Sequence, residues 1–165
     1  MTESIEKLVA ALREELQHYG EMLALLEQQQ QHAINRAADE MLVATTVIQN
    51  QAQVMQAARR DREKCQRELA RELAILESST FVEIFGLLPA AYRPLVESLV
   101  DENNSLLQQV QQKVRQNHLL LSRSVELMQQ FLSALLPARE TQVYNGQGSR
   151  ETHALPSPPL YEAVG

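Results

Sequence analysis

Several residue types on which β-sheet proteins depend are scarce in this chain of 165 residues. It has no Trp and five Gly, and aromatic residues make up only 4% of it, which works against a β-sandwich or a doubly wound sheet. Gln, Glu, Leu and Ala are instead abundant, and all four have high helix propensity. The composition therefore predicts an all-helical protein of about one domain.

Other absences bear on where the protein works and what it binds. Cys65 is the only cysteine, so an intramolecular disulfide is impossible and a reducing compartment is the easier fit. The acidic N-terminus does not resemble a signal peptide, and no stretch reaches the ~20 apolar residues of a membrane-spanning helix. A net charge of -6 argues against nucleic acid or anionic membrane as the main partner. We expect a cytoplasmic protein without stable membrane insertion.

Three long stretches have apolar residues at every third or fourth position, which is typical of amphipathic helices. The first begins at Thr2, and a turn or a bend near His32–Arg36 separates it from the second. The second runs from about Asn35 to Glu77 with heptad spacing, which favours coiled-coil packing. The third covers residues 94–136 and ends at Pro137.

The lengths of these helices predict how they pack. The second and third are equally long and should form an antiparallel hairpin, whereas the first should reach along the second only to about Arg59. A capping box at Thr80–Glu83 begins a short apolar helix, Phe81–Leu88, that would cap the far end. We predict an elongated antiparallel three-helix coiled-coil bundle over residues 1–136, followed by a flexible, extended tail with Pro and Gly over residues 137–165.

Polar residues interrupt the seam of the second helix, where apolar residues are expected. Arg59, Arg62 and Gln66 occupy these positions, and we interpret them as a polar layer where three packed helices become two, with Gln109 and Gln112 opposite. The basic residues nearby are Arg60, Lys64, Arg67 and Arg71. Acidic residues are interleaved with them, which favours ion pairs on a solvated face over nucleic-acid binding.

The last helix has two apolar surfaces. Its main stripe runs along the whole helix and includes Asn117, while a shorter ridge of Leu120, Leu127 and Ala134 lies roughly 80–120° from the stripe, with Phe131 at the stripe's edge. The ridge either packs on the first helix or forms a groove for a partner protein. Asn117 either sets the register of the bundle, as a buried Asn does in coiled coils, or bonds the backbone of a partner.

The sequence has no recognisable catalytic constellation. Its four His residues are scattered, none belongs to a Glu-x-x-His pair, and there is no Gly-rich phosphate loop. We therefore expect no enzyme activity, no cofactor and no metal. Nearby cations could lower the pKa of Cys65 and make it a redox regulator, but an unreactive thiol beside the seam is the simpler interpretation. Pro158–Tyr161 has the form of a WW-domain ligand, which we interpret as coincidence.

Several short motifs follow one another in a characteristic order. They are Tyr19, Leu23–Gln28, Arg59–Arg62, Leu88–Arg93 and Tyr144–Gly146. The last helix adds Asn117-His118-Leu119-Leu120-Leu121-Ser122, which is similar to the Asn-x-x-Leu-Leu of the last helix in the FlgN family of flagellar export chaperones. The order and spacing of these motifs resemble that family over residues 5 to 148.

The resemblance implies a chaperone that binds C-terminal helical segments of flagellar hook-associated proteins, which form the hook–filament junction. It would prevent their premature assembly and deliver them to the export gate. The residues implied for cargo binding are Asn117, Leu120, Leu121 and Leu127, and the residue implied for docking on the export apparatus is Tyr144. Phe131, beside the apolar ridge, completes the predicted cargo site. The alternative is a coiled-coil scaffold or another coiled-coil component of the export apparatus, paired through its second helix. A homodimer is compatible with both.

Overall fold

A computed structural model describes residues 1–135, and its regular structure is entirely helical. Its elements are α1 (Thr2–Ile34), α2 (Ala38–Glu72), α3 (Phe81–Leu87) and α4 (Arg93–Leu135). The described part of the chain contains no strand, which confirms the all-helical prediction. The predicted tail over 137–165, with Tyr144 and the Pro158–Tyr161 motif, lies outside these residues.

The turn between α1 and α2 is a true break in the helix. Arg36 adopts a left-handed backbone conformation with φ 55°. The N–H of Arg36 donates to the carbonyl of Ala33, and that of Ala37 donates to the carbonyl of His32. This pair of bonds is a Schellman motif, which closes helices that end in a left-handed residue. A turn near His32–Arg36 is thereby confirmed over a bent continuous helix.

The helix α2 ends five residues earlier than the predicted Glu77. Ala74 is left-handed with φ 56°, and the N–H of Ile75 donates to the carbonyl of Ala70 at 3.1 Å, so a second Schellman motif closes the helix. Leu76, which the heptad pattern placed in the seam, is 76% exposed. The prediction missed this end because Ala, unlike Gly, gives no sequence signal of a helix stop.

The helices α1 and α2 run antiparallel over their full length. Near one end, Ser4 Oγ donates to Glu72 Oε1 at 2.6 Å, and near the other, Gln29 Nε2 donates to Thr45 Oγ1 at 3.2 Å. The prediction that the first helix covers only one end of the second is wrong. Gln29, close to the end of α1, is only 7% exposed, and its side-chain amide is bonded to Thr45 and Asn117 inside the bundle.

The helix α4 runs parallel to α1 in one constant register. Asn103 Nδ2 donates to the carbonyl of Leu12 at 3.0 Å, and Asn117 Nδ2 donates to that of Leu26 at 2.7 Å, with 91 residues between the partners in both cases. Buried residues repeat every seven positions on both helices: Ile5, Leu12, Tyr19 and Leu26 on α1, and Val96, Asn103, Val110 and Asn117 on α4. The sequence predicted a hairpin of α2 and α4, but the two Asn residues on the main stripe of α4 bond α1.

The short helix α3 closes the end of the bundle where α1 begins and α2 ends. Its Ile84 and the following Leu88 join one core cluster with Leu8, Leu69 and Val96. The predicted capping box is confirmed, since the N–H of Thr80 donates to Glu83 Oε2 at 2.7 Å. A second cluster, farther along the bundle, contains Met22, Leu26 and Val110.

The first 123 residues form one compact unit, and a second unit begins at Ser124. The three long helices of the first unit pack as a bundle, which agrees with the predicted architecture at that level. The coiled-coil geometry and the elongated shape stay predictions. Among the helices that the structure describes, none has the length and apolar character needed to cross a membrane.

Candidate functional site

A network of polar side chains lies inside the bundle, between α1 and α2. Arg62 Nε is 2.9 Å from Glu15 Oε2, and the two side chains are only 14% and 4% exposed. Tyr19 Oη donates to Glu15 Oε1 at 2.7 Å, and Arg62 Nη1 donates to Gln66 Oε1 at 2.8 Å. Burial and the bond to Glu15 raise the pKa of Tyr19 above its usual range. A polar layer at Arg62 and Gln66 is thus present.

The composition and place of this layer differ from the prediction. Gln109 and Gln112 are exposed, and Arg59 is an exposed partner of Glu63 on its own helix. The layer sits at the middle of α1 because Glu15 supplies the carboxylate that a buried guanidinium needs. Sequence reasoning missed Glu15, although its position among the apolar residues of the first helix was a signal.

The network continues to the loop before α3. Gln66 Nε2 donates to the carbonyl of Ser79 at 2.9 Å, and the guanidinium of Arg62 lies 5.7 Å from the centre of the Phe81 ring. An open cleft of about 660 Å³ borders these residues. No group of three His, Cys, Asp or Glu side chains within residues 1–135 is placed to hold a metal ion. The network therefore links α1, α2 and the start of α3.

The environment of Cys65 favours an unreactive thiol. Its side chain is half-buried beside the core, and burial, followed by the charge of Glu68, raises its pKa. A redox regulator would need a lowered pKa, because the thiolate is the reactive form.

The residues predicted to bind cargo divide into two sets on α4. Asn117 is 3% exposed, and its amide donates to the carbonyl of Leu26 and to Gln29 Oε1. Leu120 and Leu121 are half-buried. Leu127 and Phe131, by contrast, are 66% and 59% exposed. The structure thus places Asn117 against α1 and leaves Leu127 and Phe131 open to solvent.

The distal segment of α4, residues 124–135, exposes more apolar surface than the resemblance suggested. Val125, Met128 and Leu132 are 57%, 59% and 47% exposed, in addition to Leu127 and Phe131. Glu126 is the only charged residue of the segment. The signal in the sequence was the density of large apolar residues from 125 to 132, which is higher than one amphipathic stripe requires. Such a density of exposed apolar side chains is unusual on the surface of a monomeric protein.

Comparison with known proteins identifies a family. The family model described as FlgN protein matches residues 1–152, whereas no curated protein and no solved structure matches the chain. The match includes the bundle, the Asn117 motif and the distal segment of α4. Because it covers far more than half of the sequence, the chain belongs to the FlgN family of flagellar export chaperones.

Proposed function

We propose that this chaperone binds C-terminal helical segments of flagellar hook-associated proteins in the cytoplasm. It keeps these hook–filament junction proteins from assembling early and delivers them to the export gate. The observation that carries the proposal is the exposure of five large apolar side chains on the distal segment of α4. Family membership supports an export chaperone in general, and the surface supports a helical cargo.

The spacing of the exposed residues suits an amphipathic helix. Leu127 and Phe131 are four residues apart and share one side of α4, so a partner helix can lay its own apolar anchors against them. Burying the exposed parts of the five side chains contributes roughly 1–2 kcal/mol each, or about 5–10 kcal/mol together, and the apolar face of the cargo contributes a similar amount. The sum exceeds the cost of association of about 4–15 kcal/mol by a limited margin. The resulting affinity is moderate, as a chaperone that must release its cargo requires.

Asn117, Leu120 and Leu121 keep a proposed part in cargo binding through the family motif. Because the amide of Asn117 is already bonded to α1, we assign most of the cargo affinity to Leu127 and Phe131.

The residue proposed to dock on the export apparatus is Tyr144. Truncating the chain before Tyr144 is expected to spare cargo affinity and to impair export in a flagellated cell. Loss of cargo affinity on truncation would contradict a separate docking role.

The test of cargo binding is a titration followed by calorimetry. The ligand is a peptide that contains the C-terminal helical segment of a hook–filament junction protein. The double variant Leu127→Asp/Phe131→Asp is expected to bind it at least ~100-fold more weakly, because two buried charges replace two apolar anchors. Circular dichroism should show unchanged helix content, since both residues are exposed.

Leu119→Asp is the matched control. Leu119 is 61% exposed on the same helix. It lies about 80° from Leu127 and about 120° from Phe131 around the helix axis, and about two turns before Leu127, so the control should bind the peptide as the wild type does. Equal weakening by the control and the double variant, or wild-type affinity in the double variant, would reject the proposal.

A coiled-coil scaffold is the second candidate, and one observation favours it. The first half of α2 exposes Leu42 and Val43 at 70% and 65%, and Val47 and Val54 at 41% and 42%. A scaffold paired through α2 would bury these residues. Sedimentation of the wild type and of Val43→Asp, with and without the cargo peptide, separates the two functions. A stable dimer that Val43→Asp dissociates and that ignores the peptide would favour the scaffold.

A further inference from the structure

The exposed apolar side chains of the distal segment of α4 fall into two stripes. At about 100° per residue, Leu127 and Phe131 lie within about 40° of each other, and Met128, Leu132 and Val125 lie within about 60°. The centres of the two stripes are about 110° apart, and the whole apolar arc from Leu127 to Val125 covers about 160°. Each of these five side chains is at least 47% exposed.

An arc of this width is too broad for one partner helix. The seam between two helices is a narrow stripe, and a helix that faces the core of a globular protein needs about 100°. A single helix centred between Phe131 and Met128 would leave Leu127 and Val125 about 80° from its contact line, at the solvent-exposed rim. Two neighbouring helices, one on each stripe, would cover all five side chains.

We infer that one cargo molecule presents two helices together to this segment, one on the Leu127–Phe131 stripe and one on the stripe of Val125, Met128 and Leu132. This inference rests on the proposed function and adds that the cargo contacts the segment with two helices instead of one. The arc has no charge, because the direction of Glu126 falls outside it. Both cargo helices must therefore offer uncharged apolar faces.

The alternative occupant of the second stripe is a second copy of the chain. That stripe exposes roughly 300 Å², if a large apolar side chain has about 200 Å². Two copies paired through it would bury about 600 Å² in total, below the about 1,200 Å² of a specific stable interface. Two cargo helices use both stripes and bury about 1,100 Å² with their partner surface, close to that threshold. The area therefore favours cargo on both stripes.

The experiment compares one variant of each stripe. Leu127→Asp and Met128→Asp are made in the full chain and titrated with two probes, a full-length hook–filament junction protein monomer and its C-terminal single-helix peptide. For the full-length probe, each variant should weaken binding about tenfold and the double variant about 100-fold. The peptide should respond to only one of the variants. Leu119→Asp is the matched control, and Gln replaces Asp wherever circular dichroism shows a loss of helix.

The outcomes separate this inference from the proposed function. If the wild type binds neither probe, the proposed function itself fails. If the full-length probe binds and one of the two variants has no effect on it, the cargo contacts one stripe and the inference is overturned. It is also overturned if both variants weaken the peptide equally, which indicates a single central helix, or if Met128→Asp only dissociates a dimer in sedimentation.

Discussion

Arg62 of α2 and Glu15 of α1 form an ion pair in the interior of the bundle, with 2.9 Å between Nε and Oε2. Removing two charges from water costs several kcal/mol per ion. Their mutual attraction offsets this cost only when other groups also hydrogen-bond to the charged atoms. Tyr19 and Gln66 supply such bonds, at 2.7 and 2.8 Å. The pair therefore determines how α1 and α2 align more than it raises their stability.

Replacing one residue of this ion pair should lower the free energy of unfolding more than replacing both. Arg62→Met leaves the buried carboxylate of Glu15 with Tyr19 alone, and we expect the free energy of unfolding in urea to fall by about 3 kcal/mol. The double variant Glu15→Leu/Arg62→Met should recover at least half of the loss. A loss below about 1 kcal/mol in the single variant would mean that water reaches the pair.

Ala74→Gly should stabilise the protein. A left-handed conformation costs an L-residue about 1 kcal/mol, which Gly avoids, so we expect the free energy of unfolding to rise by about 0.5–1 kcal/mol. The matched control is Ala10→Gly, the same substitution at an exposed position inside α1, which should lower it by about 1 kcal/mol. The same sign for both substitutions in urea unfolding would contradict this account of the end of α2.

Replacing Asn117 by Leu should trade specificity for stability. The Oδ1 atom of Asn117 is buried without a hydrogen-bond partner, and a polar residue in a helix seam sets register at a cost in stability. We expect Asn117→Leu to raise the free energy of unfolding by about 1 kcal/mol and to add species of other oligomeric states in sedimentation velocity. A less stable variant with unchanged sedimentation would show that its bond to Leu26 mainly supports the fold.

Stability should fall in acid partly through Glu72. Hydrogen bonds from the N-terminal ammonium and from Ser4 lower the pKa of its carboxyl below the usual 4.5. Because the folded pKa is below the unfolded value, this contribution is complete above about pH 4.5 and is lost as the pH falls through the folded pKa. Urea unfolding between pH 6 and about 3 should show a shallower loss in Glu72→Gln than in the wild type. Identical slopes would mean that the contact with the N-terminus does not form in solution.

The periodicity of the sequence predicted where the long helices lie but not which of them pack against each other. A stripe of apolar residues shows that a helix face is buried, and it says nothing about which helix covers it. Asn103 and Asn117 illustrate this, because their spacing of two heptads was visible while their acceptors on α1 were not. The end of α2 was missed for a different reason, since Ala74 takes a left-handed conformation that is usually recognised in a sequence by Gly.

The sequence predicted an apolar site on the last helix but not all of the residues that form it. The apolar ridge and the edge of the main stripe led to Leu127 and Phe131, both of which are exposed. The family motif led to Asn117, which is bonded to α1. Val125 and Leu132 were not predicted as site residues, because they lie outside the single apolar stripe and the ridge that the sequence pattern defined. Glu15 was overlooked because a charged residue on a helix is usually solvated, and only tertiary contact shows that Arg62 neutralises it.

The constant separation of 91 residues between α1 and α4 has a consequence for synthesis on the ribosome. Leu12 emerges together with the rest of α1 long before Asn103, and chains grow at about 5–20 residues per second. The face of α1 that α4 will cover is therefore bare for roughly 5–20 s, while the α1–α2 hairpin can already form. During that interval the nascent chain presents the same kind of uncovered helix face that we propose the finished chaperone finds in its cargo.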